Sequence, residues 1–262
     1  MPYATVHGSR LYYEDRGTGR PLVFLHGWGT SGRVWDAQVA DLAADHRTIT
    51  VDWRGCGRSD RPRSGNTLAG NATDVLALVE TLGLDTPVLV GSSVAAHFVV
   101  LAAQAAPGRL GGIVSVDGPG HWPTLGMAAE LADLRVRLAA DRAATAAEWV
   151  PTWYGPAAGP RVHARTVERI LASGTFIDAL FTEVGGFDPR PIVTGLDLPA
   201  AFVHGGLETQ FPLEVSRTLA GLAPQGRLYV VDGAGHMPHE ERPEAFNTVL
   251  RTALSEMAPA LG

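Results

Sequence analysis

The chain has a single cysteine, Cys56, among 262 residues, so it closes no disulfide within itself and offers no thiolate cluster to a metal. Arg54, Gly55, Gly57 and Arg58 flank it and could perturb the thiol, but a structural role is the expectation. Charge is scarce too. Charged residues make up 18% and the formal net charge is −6, which leaves no basic stripe for nucleic acid and no polybasic patch for a membrane surface. No apolar run approaches the roughly 20 residues of a membrane span. The first eight residues lack a charged segment leading into an apolar one, so no signal peptide is read and a soluble, cytoplasmic product is expected. Neither H-E-x-x-H nor a Cys/His ligand spacing occurs, so no metal is expected. Gly27-Trp28-Gly29-Thr30-Ser31-Gly32 matches G-x-G-x-x-G after a strand. His26 before it and Asp52 in an Asp-Trp-Arg-Gly segment argue for another use of these glycines, and no dinucleotide or other cofactor is expected.

What is present is apolar. Hydrophobic residues reach 45%, enough for the core of one large domain. Tyr3–Val6 and Leu11–Glu14 flank a turn and read as a hairpin. Short apolar strands then follow at Pro21–Leu25, Arg47–Val51, Pro87–Val90, Gly112–Val116, Ala200–Val203 and Arg227–Val231. Helical patterns lie between them, around Val34–Ala44, Leu68–Leu82 and Val94–Ala105. Near-continuous apolar strands separated by helices predict a mostly parallel, doubly wound α/β sheet, with the hairpin as an antiparallel edge.

Between about Pro119 and Pro191 this rhythm stops. Helices are predicted at Leu125–Ala140, Ala143–Val150 and Arg161–Ala172, interrupted by Gly155-Pro156 and Gly159-Pro160. The expected organisation is a core of residues 1–118 and 192–262 with a helical cap, or lid, inserted at 119–191.

The strand at Val88–Val90 runs into Gly91-Ser92-Ser93-Val94-Ala95, a G-x-S-x-G pattern with alanine last. A sharp strand-to-helix turn exposes a serine Oγ at the sheet edge, and small residues two before and two after it avoid clashes. Ser93 is therefore the candidate nucleophile; Ser92 has bulky Val90 and Val94 at those positions. His26-Gly27-Trp28-Gly29 ends an earlier strand, so the backbone N–H groups of Trp28 and Val94 are candidate oxyanion donors. Val231-Asp232-Gly233-Ala234-Gly235-His236 brings a histidine just past the last strand, making His236 the candidate general base, with His239 a minor competitor.

Together with Asp52-Trp53-Arg54-Gly55-Cys56-Gly57-Arg58-Ser59 and the stretch Met237-Pro238-His239-Glu240-Glu241-Arg242-Pro243, these segments resemble the α/β-hydrolase superfamily over nearly the whole chain outside the insertion. The resemblance implies a serine hydrolase with the order serine, acid, histidine. Two carboxylates compete for the acid. Glu208 stands in His204-Gly205-Gly206-Leu207-Glu208, where the family usually has aspartate; Asp117 ends the strand Gly112–Val116, where some branches place their acid. Asp117 is preferred for its usual side-chain length, and the choice stays open.

The reaction this implies is hydrolysis of an ester, thioester or lactone through a Ser93 acyl-enzyme. Trp122, Trp149, Trp153, Phe176 and Phe181 in the insertion suggest an apolar or aromatic small-molecule substrate. The alternatives are a cofactor-independent oxygenase or perhydrolase on the same scaffold, and a low-turnover binding protein. Oligomeric state is not specified by the sequence.

Overall fold

His7 and Gly8 both adopt positive φ, +46° and +79°, which matches the right-handed twist of the strands they join. This two-residue turn links β1 (Tyr3–Val6) to β2 (Ser9–Arg16) in antiparallel register, tighter than the four-residue turn read from sequence. In this computed structural model residues 2–120 and 127–257 are described.

Six further strands follow: β3 (Arg20–Leu25), β4 (His46–Asp52), β5 (Val88–Ser92), β6 (Gly112–Val116), β7 (Ala200–Gly205) and β8 (Gly226–Val231). The sheet order is β1-β2-β4-β3-β5-β6-β7-β8. β2 is antiparallel to β4, and every pairing from β4 through β3 to β8 is parallel. Every residue of β5, β6 and β7 is buried, as strands covered on both faces require. β1 alternates exposed and buried, and β8 is half-exposed, because each lies at an edge. The expected doubly wound α/β architecture is the observed one.

Helix Val94–Ala105 buries nine of its residues and packs on helix Leu68–Thr81. Its all-round apolar sequence reflects a position between the sheet and that neighbour. Helices Asp36–Leu42 and Pro243–Glu256 form a second packed pair.

Between β6 and β7 the chain is helical. Ala128–Ala140, Arg142–Trp149 and Pro160–Ala172 correspond to the three helices expected. Asp141 caps the second by accepting the Ala144 N–H at 2.9 Å, and Pro160 opens the third where a missing N–H costs nothing. Two short helices, Leu180–Gly186 and Arg190–Thr194, were not expected. Leu180, Phe181 and Val184 hold the first of them by burial rather than by propensity.

Candidate active site

Ser93 joins β5 to helix Val94–Ala105 at φ +56°, ψ −119°, a strained backbone for a residue with a Cβ. The turn is tight enough that a Cβ on Gly91 would lie 2.4 Å from the Ala95 carbonyl oxygen, so glycine is required there. Ala95 is tolerated and fully buried. Ser93 Oγ opens into a cavity of about 650 Å³, whereas Ser92 is buried and its hydroxyl has no partner among the described residues.

The loop after β8 brings His236 Nε2 to 2.9 Å from Ser93 Oγ. The His236 N–H donates to the Trp153 carbonyl at 2.7 Å, which ties the histidine to the helical insertion. Backbones cross closely here as well: a Cβ on Gly205 would meet the Gly235 carbonyl oxygen at 1.9 Å. The glycines before His236 thus serve close approach as well as turning.

Nδ1 of His236 is held by Glu208 Oε2. Oε1 of the same carboxylate accepts the Gln210 N–H at 2.5 Å. Burial pushes the Glu208 carboxyl up, but the charge and hydrogen bond of His236 and the Gln210 N–H outweigh it, and the group lies below its ordinary value.

Asp117, the carboxylate preferred in sequence for its side-chain length and strand-end position, has other partners than His236. Its Oδ1 accepts the Gly205 N–H at 3.0 Å and lies 3.6 Å from His204 Nδ1, while Oδ2 has no partner among the described residues. Complete burial, and then the nearby Glu208 charge, hold its carboxyl well above the usual range. Glu208 alone of the two reaches His236, because Asp117 is committed to the backbone at the end of β7.

The His26–Gly29 turn lies beside the serine: a Cβ on Gly27 would sit 3.3 Å from Ser93 Cβ. Trp28 and Val94, whose backbone N–H groups are the expected oxyanion donors, both line the cavity with Ser93. Of the glycines in the G-x-G-x-x-G match, Gly32 donates its N–H to Asp52 Oδ1 at 2.7 Å and Gly27 lies against the serine.

Trp28, Trp149, Trp153 and Phe181 form an aromatic wall with centroid separations of 4.9 to 5.8 Å between neighbours. Asp178 pins the Trp28 indole by accepting its N–H at 3.1 Å, and Arg142 pairs with Asp178 while lying over the ring. Burial raises the Asp178 carboxyl, with Arg142 opposing. Phe176 is not part of the wall: it is 44% exposed, with the Arg63 guanidinium over its ring. Trp122 lies outside the described residues. Sequence reading missed Arg142, Asp178 and Gln210. Gln210 could have been found, lying two residues after Glu208 as a local backbone donor.

Cys56 is fully buried and burial pushes its thiol well up, as a structural cysteine requires. His239 is stacked on Trp35 at 4.1 Å, and burial lowers its pKa to about 3. Among the described residues no group of three His, Cys, Asp or Glu side chains could hold a metal ion, and no helix is long and apolar enough to cross a membrane.

This architecture and site define an α/β-hydrolase-type protein, and the family comparison agrees. The chain belongs to the alpha/beta hydrolase fold family, whose model matches residues 20–243. It is similar to the non-heme chloroperoxidase of Streptomyces lividans, 30% identical over 93% of this chain and 95% of that one. It is also 30% identical to the pimeloyl-[acyl-carrier protein] methyl ester esterase of Edwardsiella ictaluri, over 92% of this chain and 96% of that one. The structure of Est816, described as an N-acyl homoserine lactone degrading enzyme, superposes with a TM-score of 0.86 at 25% identity, covering 96% and 99% of the two chains.

Proposed function

We propose that the protein is a serine hydrolase that cleaves an ester or lactone of an apolar or aromatic small molecule. The observation that carries this reading is the chain from Ser93 Oγ to His236 Nε2, at 2.9 Å, and from His236 Nδ1 to Glu208, opening on an aromatic-walled cavity. Glu208 holds the imidazole in the tautomer whose Nε2 accepts the serine proton. Ser93 Oγ attacks the acyl carbon, and the Trp28 and Val94 N–H groups take the developing oxyanion. His236 then delivers the proton to the leaving alkoxide, and water repeats the sequence to release the acid. The helices between β6 and β7 act as the cap, with Trp149, Trp153 and Phe181 as its specificity surface. Asp117 does not serve as the acid.

A fluorophosphonate probe tests the reading directly. Wild type should label at Ser93, Ser93→Ala should not, and an ester and lactone panel should turn over only with the wild type. Folded wild type that neither labels nor turns over would sink the proposal and favour a binding protein. The chloroperoxidase relative favours one second reading on the same machinery, in which hydrogen peroxide replaces water and yields a peracid. Peroxide-dependent halide oxidation that requires a carboxylic acid and vanishes in Ser93→Ala would support it.

A further inference from the structure

Glu241 closes the short helix Pro238–Glu241 that follows the His236 loop. Its carboxylate is half-buried yet forms no ion pair with a cationic side chain among the described residues. It gathers three backbone donors instead. Oε1 accepts the N–H groups of Gly235 at 2.8 Å and Met237 at 3.3 Å, the residues on either side of His236. Oε2 accepts the Gly155 N–H at 2.6 Å, from the helical insertion. His236 itself donates its N–H to Trp153, two residues before Gly155. The two strands of chain are in backbone contact: a Cβ on Gly235 would lie 2.8 Å from the Trp153 oxygen and 2.9 Å from the Gly155 nitrogen.

The segment Trp149–Gly155 also reaches the other side of the pair. Gln210, which donates its backbone N–H to Glu208, accepts the Trp149 indole N–H at 3.2 Å through Oε1 and donates through Nε2 to Thr152. One piece of the insertion therefore braces both loops that meet at the His236 imidazole.

We propose that Glu241 is a positioning residue for the reaction: it clamps the backbone on both sides of His236 to Gly155 and so keeps Nε2 within reach of Ser93 Oγ. The inference rests on the serine-hydrolase reading. The carboxylate touches no reacting atom. Its two oxygens supply the acceptors that three fixed N–H groups need, and an amide in its place turns one acceptor into a donor facing a donor. A Glu241→Gln chain retains shape and loses one arm of the clamp; Glu241→Asp retains charge and loses reach.

The test compares wild type, Glu241→Gln and Glu241→Asp as full-length protein, per folded molecule, with thermal melting recorded alongside. Both the fluorophosphonate labelling rate at Ser93 and kcat on p-nitrophenyl butyrate should fall on the order of 10- to 100-fold, the scale of a sub-ångström to ångström misplacement. KM should change by less than about threefold, because the aromatic wall is untouched. Amide hydrogen exchange should quicken at all three of Gly155, Gly235 and Met237 in Glu241→Asp, and on one side of the clamp, at Gly155 or at Gly235 and Met237, in Glu241→Gln. A variant that melts lower but keeps the wild-type labelling rate and kcat per folded molecule would overturn the proposal, because the role would then be structural only. Unlabelled wild type would instead refute the hydrolase reading. Unchanged exchange at the three amides would overturn the clamp whether or not the protein turns over ester, so the two failures are distinguishable.

Discussion

Replacing Glu208 by glutamine exchanges one oxygen of the side chain's end for an NH2 group and should nearly abolish turnover. In the native chain one oxygen meets His236 Nδ1 and the other accepts the Gln210 N–H. An amide cannot do both. If its oxygen stays with Gln210, its NH2 donates to Nδ1 and moves the imidazole proton to Nε2, where Ser93 Oγ needs an acceptor. If the amide flips, its NH2 faces the Gln210 N–H and a buried donor is left unpaired, at about 1–3 kcal/mol. The first arrangement is the cheaper. Wrong-tautomer substitutions of this kind cost about 10⁴-fold in kcat, or about 5.5 kcal/mol at 1.4 kcal/mol per decade. Asp117→Asn is the matched control. Burial and then the Glu208 charge raise the Asp117 carboxyl well above its ordinary value, and the asparagine oxygen can keep the Gly205 N–H. Its kcat should stay within about tenfold of wild type, less than about 1.4 kcal/mol in barrier. Steady-state hydrolysis and fluorophosphonate labelling of the two purified variants read the difference. The reverse ranking, with Asp117→Asn inactive and Glu208→Gln active, would refute the reasoning and return the acid to the end of β6.

Acid should destabilise the fold through two buried imidazoles. His26 is lowered to about 4 and His239 to about 3, in both cases chiefly by burial. The unfolded chain, with histidines near 6.5, binds more protons below that pH, so this stability is fully present above about 6.5 and is lost as pH falls toward 4 and 3. At pH 5 each group should remove about 2 kcal/mol relative to pH 8, and urea midpoints that stay flat between those pH values would contradict this. His239→Phe should abolish about half the slope, because neither ring nitrogen has a partner among the described residues to lose. Gly205→Ala should displace the His236 loop, since its Cβ meets the Gly235 oxygen, costing about 1–3 kcal/mol of stability together with a fall in kcat. Unchanged melting and kcat would show that the two backbones do not cross this closely. Trp149→Ala should shift kcat/KM between short-chain and aryl esters by about 1–3 kcal/mol, while exposed Phe176→Ala should leave that ratio unchanged. Equal effects at the two positions would remove the aromatic wall from specificity.

Much of the frame was legible because burial on both faces leaves an unambiguous mark. β6 and helix Val94–Ala105 begin and end at the residues their apolar runs predict. The turn at Ser93 and the crossing before His236 were legible for a different reason: a strained turn and a close backbone approach need small residues at fixed offsets, as Gly91 and Gly235 are. Legibility failed where tertiary contact decides. Helix Leu180–Gly186 ends in two glycines and carries little propensity of its own, yet it supplies Phe181 to the cavity. Phe176, five residues earlier and equally aromatic in sequence, faces outward.

The choice between Asp117 and Glu208 was the hardest to read, and the sheet explains why. β6 and β7 are neighbours, with Val116 paired to Val203, so carboxylates just beyond their ends converge on one region. Side-chain length cannot separate them, but the donors around each can. Glu208 has the His236 ring and the Gln210 N–H, which offset the penalty of burying charge. Asp117 has one N–H, from Gly205, and a second oxygen with no partner among the described residues. Two neighbouring buried carboxyls resist ionising together, and the shifts follow the donors: Glu208 lies below its ordinary value and Asp117 well above. The proposed role of Glu208 as the acid therefore rests on the loop after β7, whose Gln210 N–H faces it, more than on the choice between aspartate and glutamate.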